Sequence, residues 1–246
     1  MKKIAILLTG HIRSFYECYD NINIQLLSPL RNMGYEIHFY LSLWNTVGHR
    51  SQNWTGTADF NSIINILNPV NMNIEQFNRD YFLQNFNTDK WLNYSHLSNH
   101  TTFPDSVSMW YKVQQGLNMI EDYQRRNGFM YDCIVRARPD VLYDDNFSSE
   151  LPNIIEDIIS NDVVYIPKWH GKWREISMTI SDFFAIGNYN VMRNYMSVYN
   201  NLGELVTKDI PHTGEGLLYG QIQDNVIKRF SSGFSIHRGT HIDRIV

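Results

Sequence analysis

The sequence predicts a single α/β domain with a mainly parallel central sheet and helices on both faces. Short apolar runs alternate with helical stretches along the 246 residues, the pattern of parallel strands joined by crossover helices. No repeat, linker or composition break interrupts the alternation, so one domain is the natural division. Composition agrees: 43% apolar and 19% charged residues exclude disorder and coiled coil. Lys plus Arg total 21 against 25 Asp plus Glu, and a net charge of -4 offers no basic field for nucleic acid. Cys18 and Cys133 are the only cysteines, too few for a disulfide scaffold or a Cys-based zinc site, and they point to a reducing cytoplasm. The apolar run Ile4–Leu8 is shorter than a signal-peptide core or a membrane span, and no membrane span is expected.

The first strand covers Lys3–Thr9 and stops at Gly10. Ser14-Phe-Tyr-Glu17 spells a capping box, so a helix begins there and runs toward Gly34, with Ser28-Pro29 marking a kink or restart. Glu36–Trp44 is the second strand; a helix through Ile63–Leu67 leads to a third, in which Val70, Met72 and Ile74 alternate. Residues 76–104 are polar, aromatic and weakly periodic, an irregular insertion with room for one short helix. From Ser106 the apolar positions Val107, Trp110, Val113, Leu117 and Ile120 recur every three or four residues until Gly128, giving a long amphipathic helix. Tyr131–Arg138 is a strand stopped by Pro139, which leaves Asp140 just past its carboxyl end. A helix near Ile154–Ile159, a strand at Val163–Pro167, a loop over 168–175 and a strand at Thr179–Gly187 follow. Helices at Asn190–Leu202 and Gly214–Lys228 and a strand at Phe234–His237 complete the reading.

Ligands of open α/β sheets collect at the carboxyl ends of strands, and three segments there are polar. Thr9-Gly10-His11-Ile12-Arg13 leads from a strand into a helix N-terminus. Glycine admits a ligand to the backbone, the helix dipole favours an anion and Arg13 brings a fork for phosphate oxygens; the same residues also read as a tight turn with a solvated arginine. In Val135-Arg136-Ala137-Arg138-Pro139-Asp140, period two puts Arg136 and Arg138 on one face of a buried strand. Two guanidinium groups there need anions: Asp140 with a ligand diphosphate, or Asp140 alone in a structural ion pair with Arg136. Asp182 interrupts the apolar run Ile180–Phe184 and is either functional or the cap of a local turn. Trp44, Trp169 and Trp173 are stacking platforms or core, and Lys168, Lys172 and Arg174 form a basic loop that closes over phosphate or is solvated.

Taken in order, Gly10-x-x-Arg13-Ser14-Phe15, Leu43-Trp44, Trp110-Tyr111-Lys112-Val113-Gln114, Tyr131-Asp132-x-Ile134-Val135-Arg136-x-Arg138-x-Asp140, Asp182–Gly187, Glu215–Leu218 and Ile236-His237-Arg238 resemble a group of GT-A-fold glycosyltransferases. The group occurs in bacterial surface-polysaccharide clusters and large DNA viruses. The resemblance covers most of the chain and leaves out 76–104 and 168–178. It implies a GT-A-like (Rossmann-like) single domain, with residues 1–140 as the nucleotide-sugar-binding half and 141–246 as the acceptor-binding half, working in a bacterial or host cytoplasm. The implied reaction moves a hexose or deoxyhexose from a nucleotide diphosphate sugar to a glycan or glycolipid acceptor. Thr9, Gly10, Arg13, Trp44, Tyr111, Lys112, Gln115, Arg136 and Arg138 are then candidates for substrate binding. Glu215 and Asp182 are the catalytic candidates, one of them taking the acceptor's proton if the reaction inverts. The usual Asp-x-Asp metal motif of the fold is absent, and Arg138-Pro139-Asp140 stands in its place. Asp140 is thereby the surviving carboxylate and His237 a second ligand, for Mn2+ or Mg2+; an arginine is equally able to neutralise the diphosphate. The missing motif also supports a rival expectation, a non-catalytic nucleotide- or glycan-binding module of the same fold.

Overall fold

The computed structural model describes residues 2–48, 59–86, 103–168, 171–173, 176–178, 180–238 and 241–245, with 171–173, 176–178, 238 and 241–245 described by their backbone alone. β1 (Lys3–His11) runs two residues past the expected stop, through Gly10. Along it, Ile4, Ile6 and Leu8 enter one apolar core and Ala5 and Leu7 a second, on the opposite face of the sheet, as period-two geometry requires of a strand covered on both sides. The first core receives α1 (Phe15–Ile22), α2 (Ser28–Asn32) and α3 (Phe60–Leu67). The expected interruption at Ser28-Pro29 is a π segment, Asn23–Leu27, set directly before the proline that cannot donate to the helix ladder.

β2 (Glu36–Trp44) and β3 (Asn71–Glu75) pair in parallel with β1 and with each other in turn. α4 (Arg79–Phe86) lies within the expected insertion, whose residues 87–102 are outside the described ones. α5 (Phe103–Asn127) is the long amphipathic helix, begun three residues before Ser106, and it buries Val107, Trp110, Val113, Leu117 and Ile120 in the second core. β4 (Cys133–Ala137) pairs parallel to β1 on the other side. Next come β5 (Val141–Tyr143), α6 (Phe147–Ser160), β6 (Val163–Ile166), the hairpin β7 (Gly171–Trp173) and β8 (Ile176–Met178), and β9 (Phe184–Gly187). α7 (Tyr189–Met196), α8 (Leu202–Leu205), α9 (Gly214–Ile222), β10 (Val226–Arg229), β11 (Phe234–Arg238) and β12 (His241–Ile245) follow.

The central sheet has seven strands in the order β10-β6-β9-β4-β1-β2-β3, and β5, β11 and β12 make a small antiparallel sheet. Every pair in the large sheet is parallel except the two that β9 makes with β4 and β6. The mainly parallel sheet with helices on both faces is thus present, and among the described residues no helix is long and apolar enough to cross a membrane.

Four local readings are corrected. The capping box does not form: the Ser14 hydroxyl donates to the His237 carbonyl and Glu17 pairs with the His237 ring, so a tertiary partner takes both side chains. Of the strand read over Thr179–Gly187, Thr179 lies outside the described residues and Phe184–Gly187 form β9; just before it the Phe183 carbonyl accepts from the Arg138 N–H at 2.9 Å, and Pro139 then has no N–H to extend the ladder. The helix read to Lys228 stops at Ile222, and the β-branched Val226 and Ile227 instead pair with Val163 and Val164 at the sheet edge. Leu202 belongs to the separate short helix α8, since α7 ends at Met196.

Candidate active site

Reversal of β9 decides where the site forms. An antiparallel strand begins at the edge where its parallel neighbours end, so the residues that lead into β9 arrive beside the carboxyl ends of β1 and β4. The N-termini of α5 and α9 reach the same edge, and together these segments bound a cleft of about 730 Å³, open mouth included. Thr9, Gly10, His11, Arg13, Trp44 and Arg138 line it from the first half of the chain. Asp182, Gly214 and Glu215 line it from the second, and Asp105, Ser106, Ser108 and Met109 from the first turns of α5.

Two glycines make room for this. Gly10 has φ +99°, a conformation that side chains rarely adopt, and no atom lies within 4 Å of where its Cβ would stand. Backbone at the end of β1 is therefore open to a ligand. A Cβ at Gly214, by contrast, would collide with Asp182 Oδ2, so glycine there lets the acid press against the start of α9. Thr213 caps that helix, its hydroxyl accepting from the Gly216 N–H at 3.1 Å.

The cationic wall is built on Asp140, which is fully buried. Arg138 grips it with both arms of its fork, Nε to Oδ1 at 2.9 Å and Nη2 to Oδ2 at 2.7 Å. Arg13, whose φ of +47° is unusual for a residue with a side chain, brings Nη1 to 3.4 Å from the same Oδ2. Burial alone pushes the Asp140 carboxyl up, but Arg138 and Arg13 outweigh it and hold the group below its ordinary value. Arg136 is completely buried in β4; its Nε donates to Thr9 Oγ1 at 3.0 Å, and its two terminal nitrogens have no hydrogen-bond partner. The expected Arg136–Asp140 pair is thus replaced by an Arg138–Asp140 pair.

The acids Asp182 and Glu215 line the same cleft, near enough for their charges to act on the Arg138 guanidinium. Burial, followed by the charge of Asp182, lifts the Glu215 carboxyl to about 7. A carboxyl of that kind exchanges a proton near neutrality.

The structure separates the sequence-predicted residues into two groups. Thr9, Gly10, Arg13, Trp44, Arg138, Asp182 and Glu215 meet in the cleft, while Tyr111, Lys112, Gln115, Arg136, Asp140 and His237 are not among its lining. Lys112 is fully buried against Glu75, with Nζ 2.5 Å from Oε2 and 4.4 Å above the Trp44 ring, and Tyr111 stacks on Trp44 at 5.8 Å. Both support the tryptophan from behind. Lys168 is exposed; Trp169 and Arg174 lie outside the described residues, as do the side chains of Lys172 and Trp173. Sequence reasoning missed His11, Asp105, Ser106 and Ser108. Pro104-Asp105-Ser106 at a helix start was the available signal.

The divalent metal that the resemblance implies does not fit Asp140 and His237 as placed. Both Asp140 oxygens are held by guanidinium groups; of the His237 ring nitrogens Nε2 is engaged by Glu17 and Nδ1 is buried without a partner, and neither residue lines the cleft. Among the described residues no group of three or more His, Cys, Asp or Glu could hold a metal ion.

No known family model matches the sequence, and no curated protein matches it. Solved structures do. The chain is similar to a glycosyltransferase involved in the glycosylation of the major capsid of PBCV-1, at 8% identity over 94% of this chain and 81% of that one, with a TM-score of 0.41. It is similar to mouse xyloside xylosyltransferase 1, at 9% identity over 94% and 85% with a TM-score of 0.43. The mannosyltransferase Ktr4p from S. cerevisiae shows 12% identity over 98% and 71%, with a TM-score of 0.47. At this level of likeness, function has to be read from the cleft itself.

Proposed function

We propose that this chain is a glycosyltransferase that moves a sugar from a nucleotide diphosphate sugar to a glycan or glycolipid acceptor. The observation that carries the reading is the meeting of two groups in one cleft: Arg13 and Arg138 beside the open backbone of Gly10, and Glu215 with Asp182, whose charge and the burial of the site lift the glutamate to about 7. Departure of a nucleoside diphosphate leaves charge on the β-phosphate, which preorganised guanidinium groups stabilise without reorganising. Loss of a proton from the acceptor hydroxyl needs a carboxylate basic enough to take it, and Glu215, lifted to about 7, is the group in the cleft suited to that role. This arrangement suits inversion, with the donor on the side built from residues 1–140 and the acceptor reaching in beside 182 and 215. Buried, unpaired Cys18 and Cys133 suit a cytoplasmic setting.

A thermal-shift panel of nucleotide diphosphate sugars, followed by release of nucleoside diphosphate in the presence of glycan acceptors, tests the proposal. One donor should raise the melting temperature in a concentration-dependent way. If none does, the proposal fails; if a donor binds and no acceptor ever gives turnover, the chain is a binding module.

A further inference from the structure

We infer that in this chain arginine forks, and not a divalent cation, neutralise the donor diphosphate, and that Asp140 is the positioning residue that holds them. The inference rests on the glycosyl-transfer reading above and concerns how the same cleft receives its donor.

A carboxylate that ligates a cation needs an oxygen lone pair directed at it. Asp140 offers none to the cleft in this arrangement: Oδ1 accepts from Arg138 Nε, Oδ2 from Arg138 Nη2 with Arg13 Nη1 beside it, and the fully buried carboxylate is not part of the cleft lining. Asp140 is fully buried behind these groups, whereas Arg13 and Arg138 themselves line the cleft. The carboxylate therefore works backwards, from the core toward the arginines. Its main chain is fixed as well, since its carbonyl accepts from the His237 N–H at 2.9 Å and the Arg13 N–H is tied to the Val47 carbonyl at 3.1 Å. Arg13 keeps its left-handed backbone within this frame.

Charge counting leads the same way. Arg13 and Arg138 put two positive charges on one carboxylate, and the terminal nitrogens of Arg136 are buried behind them with no hydrogen-bond partner. A dication at Asp140 would add two charges of the same sign and displace the Arg138 fork. A diphosphate beside Thr9 and Gly10 would bring the opposite sign to the side of Arg13 and Arg138 that lines the cleft.

The test is titration calorimetry of the wild-type chain with UDP, GDP, ADP and CDP, each in Mn2+ and in EDTA. The tightest diphosphate should keep its affinity within tenfold when EDTA replaces Mn2+. A loss greater than tenfold in EDTA overturns the inference and leaves the glycosyl-transfer reading standing; no binding in either medium overturns both. Asp140→Asn, where it folds, should weaken that diphosphate by the same factor in both media, because it frees the arginines. A loss confined to Mn2+ would make Asp140 a metal ligand. Where Asp140→Asn does not fold, the wild-type comparison decides alone.

Discussion

The two ends of the central sheet each bury a polar cluster, and they are finished differently. At the amino-terminal end His38 Nδ1 meets the Tyr131 hydroxyl at 2.7 Å and its Nε2 meets Glu36 at 2.8 Å, while Tyr40 and Tyr131 join hydroxyls at 2.7 Å. Each side-chain polar atom of that trio has a protein partner, while the Tyr35 hydroxyl, just before β2, is buried without one. At the carboxyl end the Arg136 terminal nitrogens, the Tyr195 hydroxyl and the Ser106 hydroxyl are buried with none. Buried polar groups are ordinarily satisfied, and leaving one unmet costs about 1–3 kcal/mol. Of these, Ser106 lines the cleft, where a polar ligand can reach it, and Arg136 and Tyr195 lie behind the lining.

The sharpest way to break this comparison is at Glu215. Glu215→Gln should lower turnover about 10²- to 10⁴-fold while donor binding persists, and an active Glu215→Gln with a dead Asp182→Asn would exchange their roles. Wild-type kcat/KM should fall as pH drops through about 7, because the base is then protonated. Stability should run the other way. A carboxyl raised in the fold contributes stability below its unfolded pKa and loses it as pH rises through the folded one, so Glu215→Gln should stabilise the chain at pH 8 by about 1–3 kcal/mol in a melting experiment.

Next in size is Asp140→Asn, which removes the carboxylate from a buried pair and should destabilise the fold by about 3–5 kcal/mol in urea. In the wild type, with this carboxyl lowered, that contribution is present above the unfolded pKa and is lost as pH falls through the folded one. Arg13→Ala should weaken nucleotide binding by about 1.5–3 kcal/mol in calorimetry, the scale of a charge-assisted hydrogen bond; unchanged affinity in a folded variant would remove Arg13 from the site. The smallest effect sharpens the contrast: Tyr131→Phe should cost about 1–2 kcal/mol of stability and leave nucleotide affinity untouched, and a loss of affinity would mean that the two ends are coupled.

Sequence pattern made the strands and the long helix α5 legible, because burial on both faces writes continuous apolar runs and a helix writes a 3.6-residue period. Thr9, Gly10, Arg13 and Arg138 were legible for the same reason, since they sit where a run ends. Lys112 and the capping box at Ser14 were misread through partners far along the chain, Glu75 in one case and His237 in the other. β5 and β12 escaped because three to five residues carry little period of their own and gain order only by pairing with β11. Asp105, Ser106 and Ser108 look like ordinary helix-start residues until the reversed strand brings Asp182 opposite them.

The bond from Ser14 to His237 joins positions 223 apart, and it bears on the order in which the protein is made. During synthesis β1, α1 and β2 emerge before β11, so the carbonyl of Asp140 and the side chains of Ser14 and Glu17 wait for a strand translated long after them. The amino-terminal network closes sooner, once Tyr131 has left the ribosome. A nascent chain can thus hold β1, β2 and β4 together on that finished end while its ligand-facing edge stays open, and that edge closes only once β11 has emerged.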